Sequence, residues 1–118
     1  MIKLVRLDYR LLHGQVVFSW TGHVGAQRII VVDDDAANDE MKKSALLLSK
    51  PAGVRVNIFT VDKAIAKMPK VEQLDEKIMM IFGNTAALLK FCQAYPKIKE
   101  INYGAVANKP GSVAFDQS

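Results

Sequence analysis

The sequence predicts a single α/β domain over residues 1–118, with three layers: a mainly parallel central sheet and helices on both faces. The chain of 118 residues is long enough for one hydrophobic core and too short for two ordinary domains. Its composition, 50% hydrophobic and 24% charged, is typical of a globular protein. Short apolar runs alternate strictly with amphipathic segments, which indicates βαβ units with right-handed crossovers.

The first half of the chain contains two predicted strands and two predicted helices. The second strand, RIIVVD, is uninterruptedly apolar between its first arginine and its final aspartate, as in a strand that is covered on both faces. The second helix opens with Asn-Asp-Glu, a capping residue and two first-turn acids, and stops before Pro51 and Gly53. In order, we predict a strand at 2–7, a helix from 15 to about 23, a strand at 28–33 and a helix at 38–50.

The second half continues the alternation. Thr60 and Asn84 are N-cap residues of two further helices, the first ending near Pro69. Apolar residues alternate with polar ones between 54 and 58, which predicts a half-buried strand. We predict a strand at 54–58, a helix from 60 to about 69, a strand at 77–82, a helix at 85–94, a strand at 100–103 and the start of another strand at 113–115.

Ligands of open parallel sheets bind beyond the carboxyl ends of the strands, where loops lead into helix N-termini. Four predicted loops meet at that edge: 8–14, 33–37, 83–85 and 104–111. The first loop contains His13.

The first loop combines residue types that suit phosphoryl transfer. Gly14 permits a tight turn, and the helix that starts at Gln15 offers free N–H groups to an anion, so these two positions are candidate phosphate-binding residues. Arg6 and Arg10 can supply forked donors to phosphate oxygens, and the imidazole of His13 can accept and pass on a phosphoryl group. Asp8 can orient either the arginines or the ring. From spacing alone, a helix-capping His13 with solvated arginines is an equally good interpretation.

Asp33, Asp34 and Asp35 follow the second strand and form a candidate site for a divalent metal or for phosphoryl acceptance, as in receiver modules. The favoured interpretation is that they solvate the loop and stabilise the next helix N-terminus. A receiver would need acids after the first strand and an aspartate after the third, where this chain has a basic loop and Phe59-Thr60.

The remaining notable side chains have structural interpretations. Trp20 is predicted to be a core or interface residue, and His23 to cap the end of its helix. Cys92 is the only cysteine, so no intrachain disulfide can form, and it is predicted to be a buried thiol. No P-loop or dinucleotide fingerprint is present.

Composition and charge pattern also bear on the partners of the protein and on its location in the cell. The formal net charge is +4, but the lysines are spread along the chain with no basic run interleaved with aromatics, so we expect no nucleic-acid partner. No apolar run is long enough to span a bilayer, and no signal-peptide pattern precedes the first strand. We therefore expect a cytoplasmic protein.

The stretch RLDYRLLHGQV, residues 6–16, resembles the signature R-x-D-x-R-L-x-H-G-Q-V of IIB subunits in the mannose/fructose/sorbose family of the bacterial sugar phosphotransferase system. Every patterned position matches. The segments IIVVDDDAANDEMKKSALLLSKPAGVRVNIFTVDKAI and IKEINYGAVANKPG also resemble the family, so the likeness covers nearly the whole chain.

The resemblance implies that His13 accepts a phosphoryl group at Nδ1 from a phosphorylated IIA protein or domain and passes it to a sugar bound by the membrane subunits IIC and IID. It implies that Arg10 neutralises the phosphoryl charge, while Asp8 and Arg6 hold the loop in place. The protein would then be a transferase that contacts the membrane only through its partners and uses no cofactor, neither nucleotide nor metal. The alternative is a non-transport regulatory or anion-binding module of the same fold.

Two departures from the family pattern matter. Gly104-Ala105 stands where relatives have two glycines, which alters the loop facing the site. Relatives also continue through a further strand and a C-terminal helix, so we expect these elements to be missing here. The resulting open sheet edge invites pairing of two copies into a homodimer.

Overall fold

The computed structural model describes residues 1–13, 15–98 and 100–104, without the side chains of His13, Gln15, Val16 and Tyr103. The described residues contain the five strands that the sequence predicted there, and five helices, one more than predicted. The strands are β1 (Ile2–Leu7), β2 (Arg28–Val32), β3 (Arg55–Phe59), β4 (Ile78–Phe82) and β5 (Asn102–Tyr103). The helices are α1 (Gln15–Val24), α2 (Asp34–Ala37), α3 (Glu40–Leu48), α4 (Val61–Val71) and α5 (Thr85–Ala94).

The strands form one parallel sheet in the order β3-β2-β4-β1-β5. Both neighbours of β1 come from the second half of the chain: Leu7 lies opposite Phe82 of β4 and Tyr103 of β5. All carboxyl ends therefore meet at one edge, as expected for consecutive βαβ units.

Two hydrophobic clusters cover the two faces of the sheet, which confirms the predicted layers. One cluster joins sheet residues to α4 and α5, with Phe82 packed against Phe91 at a centroid distance of 5.1 Å. The other joins the opposite face to the loop after β1 and to α1, α2 and α3, through residues such as Leu12 and Val17. The strand β4 is buried along its whole length because it lies in the middle of the sheet.

Helix N-caps explain most of the helix boundaries. The side chain of Thr60 accepts a hydrogen bond from the N–H of Lys63, and Asn84 accepts one from Ala87, so both predicted caps are confirmed. The helix predicted at 38–50 begins later, at Glu40, because Asp39 rather than Asn38 is the cap.

Two further predictions about boundaries were wrong. Residues 33–37, predicted as a loop, contain the one-turn helix α2, because the side chain of Asp33 caps the N–H groups of Asp35 and Ala36. The helix α4 passes through Pro69 to Val71, two residues beyond the predicted end. Met68 and Val71 are buried in the core, and this packing holds the last turn despite the missing N–H of the proline.

Single side chains singled out in the sequence lie as follows. Trp20 is partly buried against the cluster that contains Leu12 and Val17. His23 is exposed and lies in the last turn of α1, where its ring stands edge-on to the Trp20 ring at a centroid distance of 5.5 Å. Cys92 is partly buried against the α4–α5 cluster, and this burial raises the pKa of its thiol.

The strand predicted at 113–115 lies outside the described residues. No helix in the described ranges has the length and apolarity needed to cross a membrane.

Candidate functional site

The site is built around Asp8, the residue that follows β1 at the carboxyl edge of the sheet. Its backbone N–H donates to the carbonyl of Phe82 at 2.9 Å, so β4 fixes its position. The residue is fully buried, with 0% exposure. A buried carboxylate is tolerated only when it is paired and hydrogen-bonded, and Asp8 therefore depends on cationic neighbours.

Two arginines supply those neighbours. Oδ2 of Asp8 accepts from Nε and Nη2 of Arg6 at 3.3 and 3.2 Å and from Nη2 of Arg10 at 3.0 Å. Oδ1 accepts from the backbone N and from Nε of Arg10, at 3.0 and 3.1 Å. Burial by itself raises the pKa of Asp8, but the hydrogen bonds and charge of Arg10, with the charge of Arg6, hold that pKa below its ordinary value. Two cations against one carboxylate leave this cluster with a net positive charge.

Arg6 connects the cluster to the edge strand β5. It is only 4% exposed, and its Nη1 donates to Oδ1 of Asn102. Gly104 lies directly against the Arg6–Asp8 pair, because a Cβ at this position would overlap Nη2 of Arg6 and Oδ2 of Asp8. Its N–H donates to the carbonyl of Leu7 at 2.7 Å. Glycine is therefore required here for close approach.

Arg10 is the accessible member of the cluster. Its side chain is 37% exposed, although Nε and Nη2 are both held by Asp8. The hydrogen bond to Asp8 raises the pKa of Arg10 further. Within the described part of the chain, no acceptor binds its Nη1. Arg10 thus presents a fixed, charged donor to the solvent, which is the geometry that binds phosphate oxygens.

The loop bends sharply directly after Arg10. Leu11 has a φ of +54°, the left-handed region that L-residues rarely occupy, and its N–H donates to the carbonyl of Asp8 at 3.0 Å. Such a conformation costs on the order of 1–3 kcal/mol and persists only where the surroundings determine it. Leu11 is 7% exposed, so its packing holds the turn.

The predicted site residues fall into two groups. The structure brings Arg6, Asp8 and Arg10 into direct contact. His13 ends a 3-10 turn, Leu11–His13, and Gln15 begins α1 on the same loop, so both backbones lie close along the chain to Arg10. The side chains of His13 and Gln15, together with Gly14, lie outside the described residues, and their roles stay predictions.

The loops that follow β2 and β4 meet the loop of β1. A Cβ on Gly83 would overlap Oδ2 of Asp33 and lie 3.2 Å from Cδ2 of Leu11. Beside Arg10, a cleft of about 440 Å³ opens between this loop and the helices α2 and α3, with Tyr9 and Lys42 on its walls. Three of the four predicted loops therefore share one surface, and the fourth joins them at Gly104.

The three consecutive aspartates are engaged in structural contacts. Asp33 caps α2, Asp34 accepts from the N–H of Val61 at 2.8 Å, and Asp35 forms an ion pair with Lys42. These contacts agree with their interpretation as loop- and helix-stabilising residues. In the ranges 1–13, 15–98 and 100–104, no three His, Cys, Asp or Glu side chains are grouped so as to hold a metal ion.

Sequence reasoning missed the contribution of β5 to the cluster. Asn102 is 96 residues from Arg6 in sequence, and only the parallel pairing of β1 with β5 brings the two together. The one signal in the sequence is a polar residue followed two positions later by a glycine, at the carboxyl end of a predicted strand.

A family model matches almost the full chain. Residues 2–118 match the model of the "PTS system sorbose subfamily IIB component" family. A sorbose-specific EIIB component of Klebsiella pneumoniae is 36% identical over 110 residues, which are 93% of this chain and 67% of that protein. The mannose-specific EIIAB component of Escherichia coli K12 is 34% identical over all 118 residues, but the chain spans only 36% of its length.

Solved structures agree with this match. The IIBSor domain of the sorbose permease from Klebsiella pneumoniae superposes with a TM-score of 0.84 at 36% identity, covering 94% of this chain and 68% of that one. The manxB structure from Thermoanaerobacter tengcongensis gives a TM-score of 0.87 at 31% identity, covering 100% of this chain and 71% of that one. By sequence and by fold, the chain belongs to the sorbose-subfamily IIB components of the phosphotransferase system.

Proposed function

We propose that the protein is a phosphoryl carrier in sugar uptake, and that His13 holds the phosphoryl group between two transfers. Membership of the IIB family supports phosphoryl transfer in general. The observation that carries the specific role is the Arg6–Asp8–Arg10 cluster, which has a net positive charge and an accessible Arg10 immediately before the turn that contains His13.

The proposed reaction is two successive exchanges at one nitrogen. In the first, the imidazole of His13, at Nδ1 by the family resemblance, attacks the phosphorus carried by a IIA protein or domain. The new N–P bond forms as the donor's bond to phosphorus breaks, and the ring proton of His13 passes to the departing donor group. In the second, a sugar hydroxyl attacks the same phosphorus: the new O–P bond forms as the N–P bond to His13 breaks, and the hydroxyl proton passes to the released imidazole ring.

The cluster residues have separate roles in this proposal. Arg10 stabilises the negative charge that spreads over the phosphoryl oxygens during transfer. Asp8 fixes the guanidinium of Arg10 through Nε and Nη2. The buried Arg6 donates to the same carboxylate, and its positive charge keeps Asp8 ionised. The N–H groups at Gly14 and Gln15, at the start of α1, provide additional donors to the anion.

The proposed partners follow from the same role. A phosphorylated IIA protein or domain is the donor, and the membrane subunits IIC and IID hold the acceptor sugar, which is compatible with a cytoplasmic location. No further cofactor takes part. Relatives named for sorbose and for mannose are both similar to this chain. The transported sugar is therefore assigned to the membrane subunits.

The chain offers a matched control for the test, because it contains two histidines, His13 and the exposed His23. Incubation with a phosphorylated IIA partner should add one acid-labile phosphoryl group to the wild type and to His23→Ala, detected by intact-protein mass spectrometry at alkaline pH. His13→Ala should remain unmodified. Labelling of His13→Ala, or an acid-stable product, would refute the assignment.

The role of Arg10 has its own test. Arg10→Gln should lower the rate of phosphoryl transfer from the IIA partner to His13 about 100-fold, the usual effect of removing one stabilising donor. Arg55→Gln, which removes an exposed arginine at the opposite end of the sheet, should leave the rate unchanged. Phosphorylated protein that fails to pass its group to any sugar with matching membrane subunits would favour a regulatory module instead.

A further inference from the structure

One side of the molecule, formed by β3, α4 and the start of β2, has an excess of positive charge. Five cations lie there, Glu76 pairs with two of them, and the one carboxylate on these elements is Asp62. We call this set the basic side: Arg28, Arg55, Lys63, Lys67, Lys70 and Glu76.

Three lysines of the basic side form a stripe on α4. Lys63, Lys67 and Lys70 follow the spacing i, i+4, i+7, while the other face of the helix is packed into the core. No carboxylate of the described chain lies within 4 Å of any of their ammonium groups. The acid on the same helix, Asp62, is already paired with Lys90 at 2.8 Å. The stripe is therefore an uncompensated row of cations.

The lysines border a shallow groove of about 360 Å³ along the edge of the sheet. Its floor is apolar and includes Phe59 and Leu74. The ammonium group of Lys63 lies 5.3 Å from the ring centroid of Phe59 and covers that ring. At one end of the groove, Nε of Arg28 donates a hydrogen bond to Oε1 of Glu76 at 2.7 Å, which fixes the arginine side chain.

We propose that the basic side binds peripherally to the surface of an anionic lipid membrane. Clusters of four to eight Lys or Arg are typical of surfaces that associate with anionic lipids, and the basic side has five, three of them on the amphipathic helix α4. The lysines here form a line along α4 rather than a closed pocket, which suits a continuous charged surface better than one small anion. The apolar face of α4 is used by the core, so attachment is electrostatic and involves no insertion.

Other occupants fit the basic side less well. A nucleic acid would use exposed aromatic rings for stacking, and Phe59 is half-buried beneath Lys63. A second copy of the chain would bring the same row of cations against itself. Lysines beside an edge strand such as β3 also oppose the addition of another strand.

Membrane attachment by this side leaves the candidate site open. β3 is three strands from β1, which corresponds to roughly 14 Å across the sheet. A protein that rests on β3 and α4 therefore still exposes Arg10 to a protein partner. The inference goes beyond the proposed function and holds whether or not His13 carries a phosphoryl group.

The test is co-sedimentation of the full chain with vesicles of phosphatidylcholine alone and of phosphatidylcholine mixed with phosphatidylglycerol. We expect binding only to the mixed vesicles, and its loss at about 1 M salt, where the Debye length is about 3 Å. Lys63→Gln, Lys67→Gln and Lys70→Gln combined should lower partitioning roughly 100-fold, since each lysine contributes about fivefold.

A second triple variant controls for net charge. Lys3→Gln, Lys42→Gln and Lys43→Gln remove the same charge from elsewhere on the molecule, and this variant should bind the mixed vesicles as the wild type does. Equal losses in both triple variants would show that net charge alone drives binding and would overturn the proposal. So would equal binding to neutral vesicles, tighter binding to duplex DNA in a parallel titration, or no vesicle binding at all. Far-ultraviolet circular dichroism checks that both variants are folded.

Discussion

Replacing Asp8 by asparagine removes the charge at the centre of the cluster while keeping the shape of the side chain. The two carboxylate oxygens accept five hydrogen bonds from Arg6 and Arg10. An amide has one acceptor oxygen, and its NH2 group would face arginine N–H donors. Arg6, 4% exposed, would also lose its counter-charge in a buried position.

The expected cost is about 3–5 kcal/mol in the free energy of unfolding, the usual result of removing one partner of a buried ion pair. A domain of this kind has on the order of 5–15 kcal/mol in total, so Asp8→Asn should be folded but markedly weakened. Urea unfolding followed by circular dichroism at pH 7 measures the difference. Asp62→Asn removes an exposed carboxylate paired with Lys90 and should cost less than about 1 kcal/mol.

The pH dependence provides a second measurement on the same variant. The folded pKa of Asp8 lies below its ordinary value of 3.8, so the native protein binds fewer protons at this position than the unfolded chain. The stabilisation by Asp8 is therefore present above pH 3.8 and is lost as the pH falls through the folded pKa. The difference between wild type and Asp8→Asn should shrink below about pH 4. A difference under 1 kcal/mol at pH 7, or one that stays constant down to pH 3, would refute this reasoning.

Three further predictions concern single residues: one at the site, one at the start of α5 and one at its end. Gly104→Ala should destabilise the fold by about 1–3 kcal/mol in urea unfolding, because its methyl group overlaps the buried Asp8 carboxylate. Asn84→Ala should cost about 1 kcal/mol through loss of the cap of α5, while Asn84→Ser retains most of the stability. Burial and the hydrogen bond to Glu72 raise the pKa of Tyr95 to about 12, so a spectrophotometric titration of Tyr95→Phe should lack the last of the tyrosine transitions.

Local signals explain which parts of the fold were predictable. The helix α5 has the predicted bounds because Asn84 supplies a cap and Pro96 follows its end. α2 escaped prediction because one turn is too short to show a helical period, and the carboxylate that caps it resembles any loop aspartate. The length of α4 depends on tertiary packing of Val71, which outweighs the local effect of a proline.

The candidate site divides in the same way. The grouping of Arg6, Asp8 and Arg10 was predictable from local sequence. Each arginine is only two residues from Asp8, so both can reach its carboxylate. The contact of Arg6 with Asn102 depends on strand order, which no local pattern encodes. The basic side was hidden for the same reason, since Arg28 and Lys70 are far apart in sequence and become neighbours only through the crossover of α4.

The position of β1 has a consequence for folding kinetics. β1 precedes the other four strands along the chain, yet both of its partners, β4 and β5, are more than seventy residues away. Contacts of such high sequence separation form slowly because a long loop must close first. The hydrogen bond between Arg6 and Asn102 therefore forms late in folding. Pulse-labelling hydrogen exchange during refolding should show that β1 amides become protected after the amides that are hydrogen-bonded between β2 and β3. Protection of β1 amides before those between β2 and β3 would contradict that order.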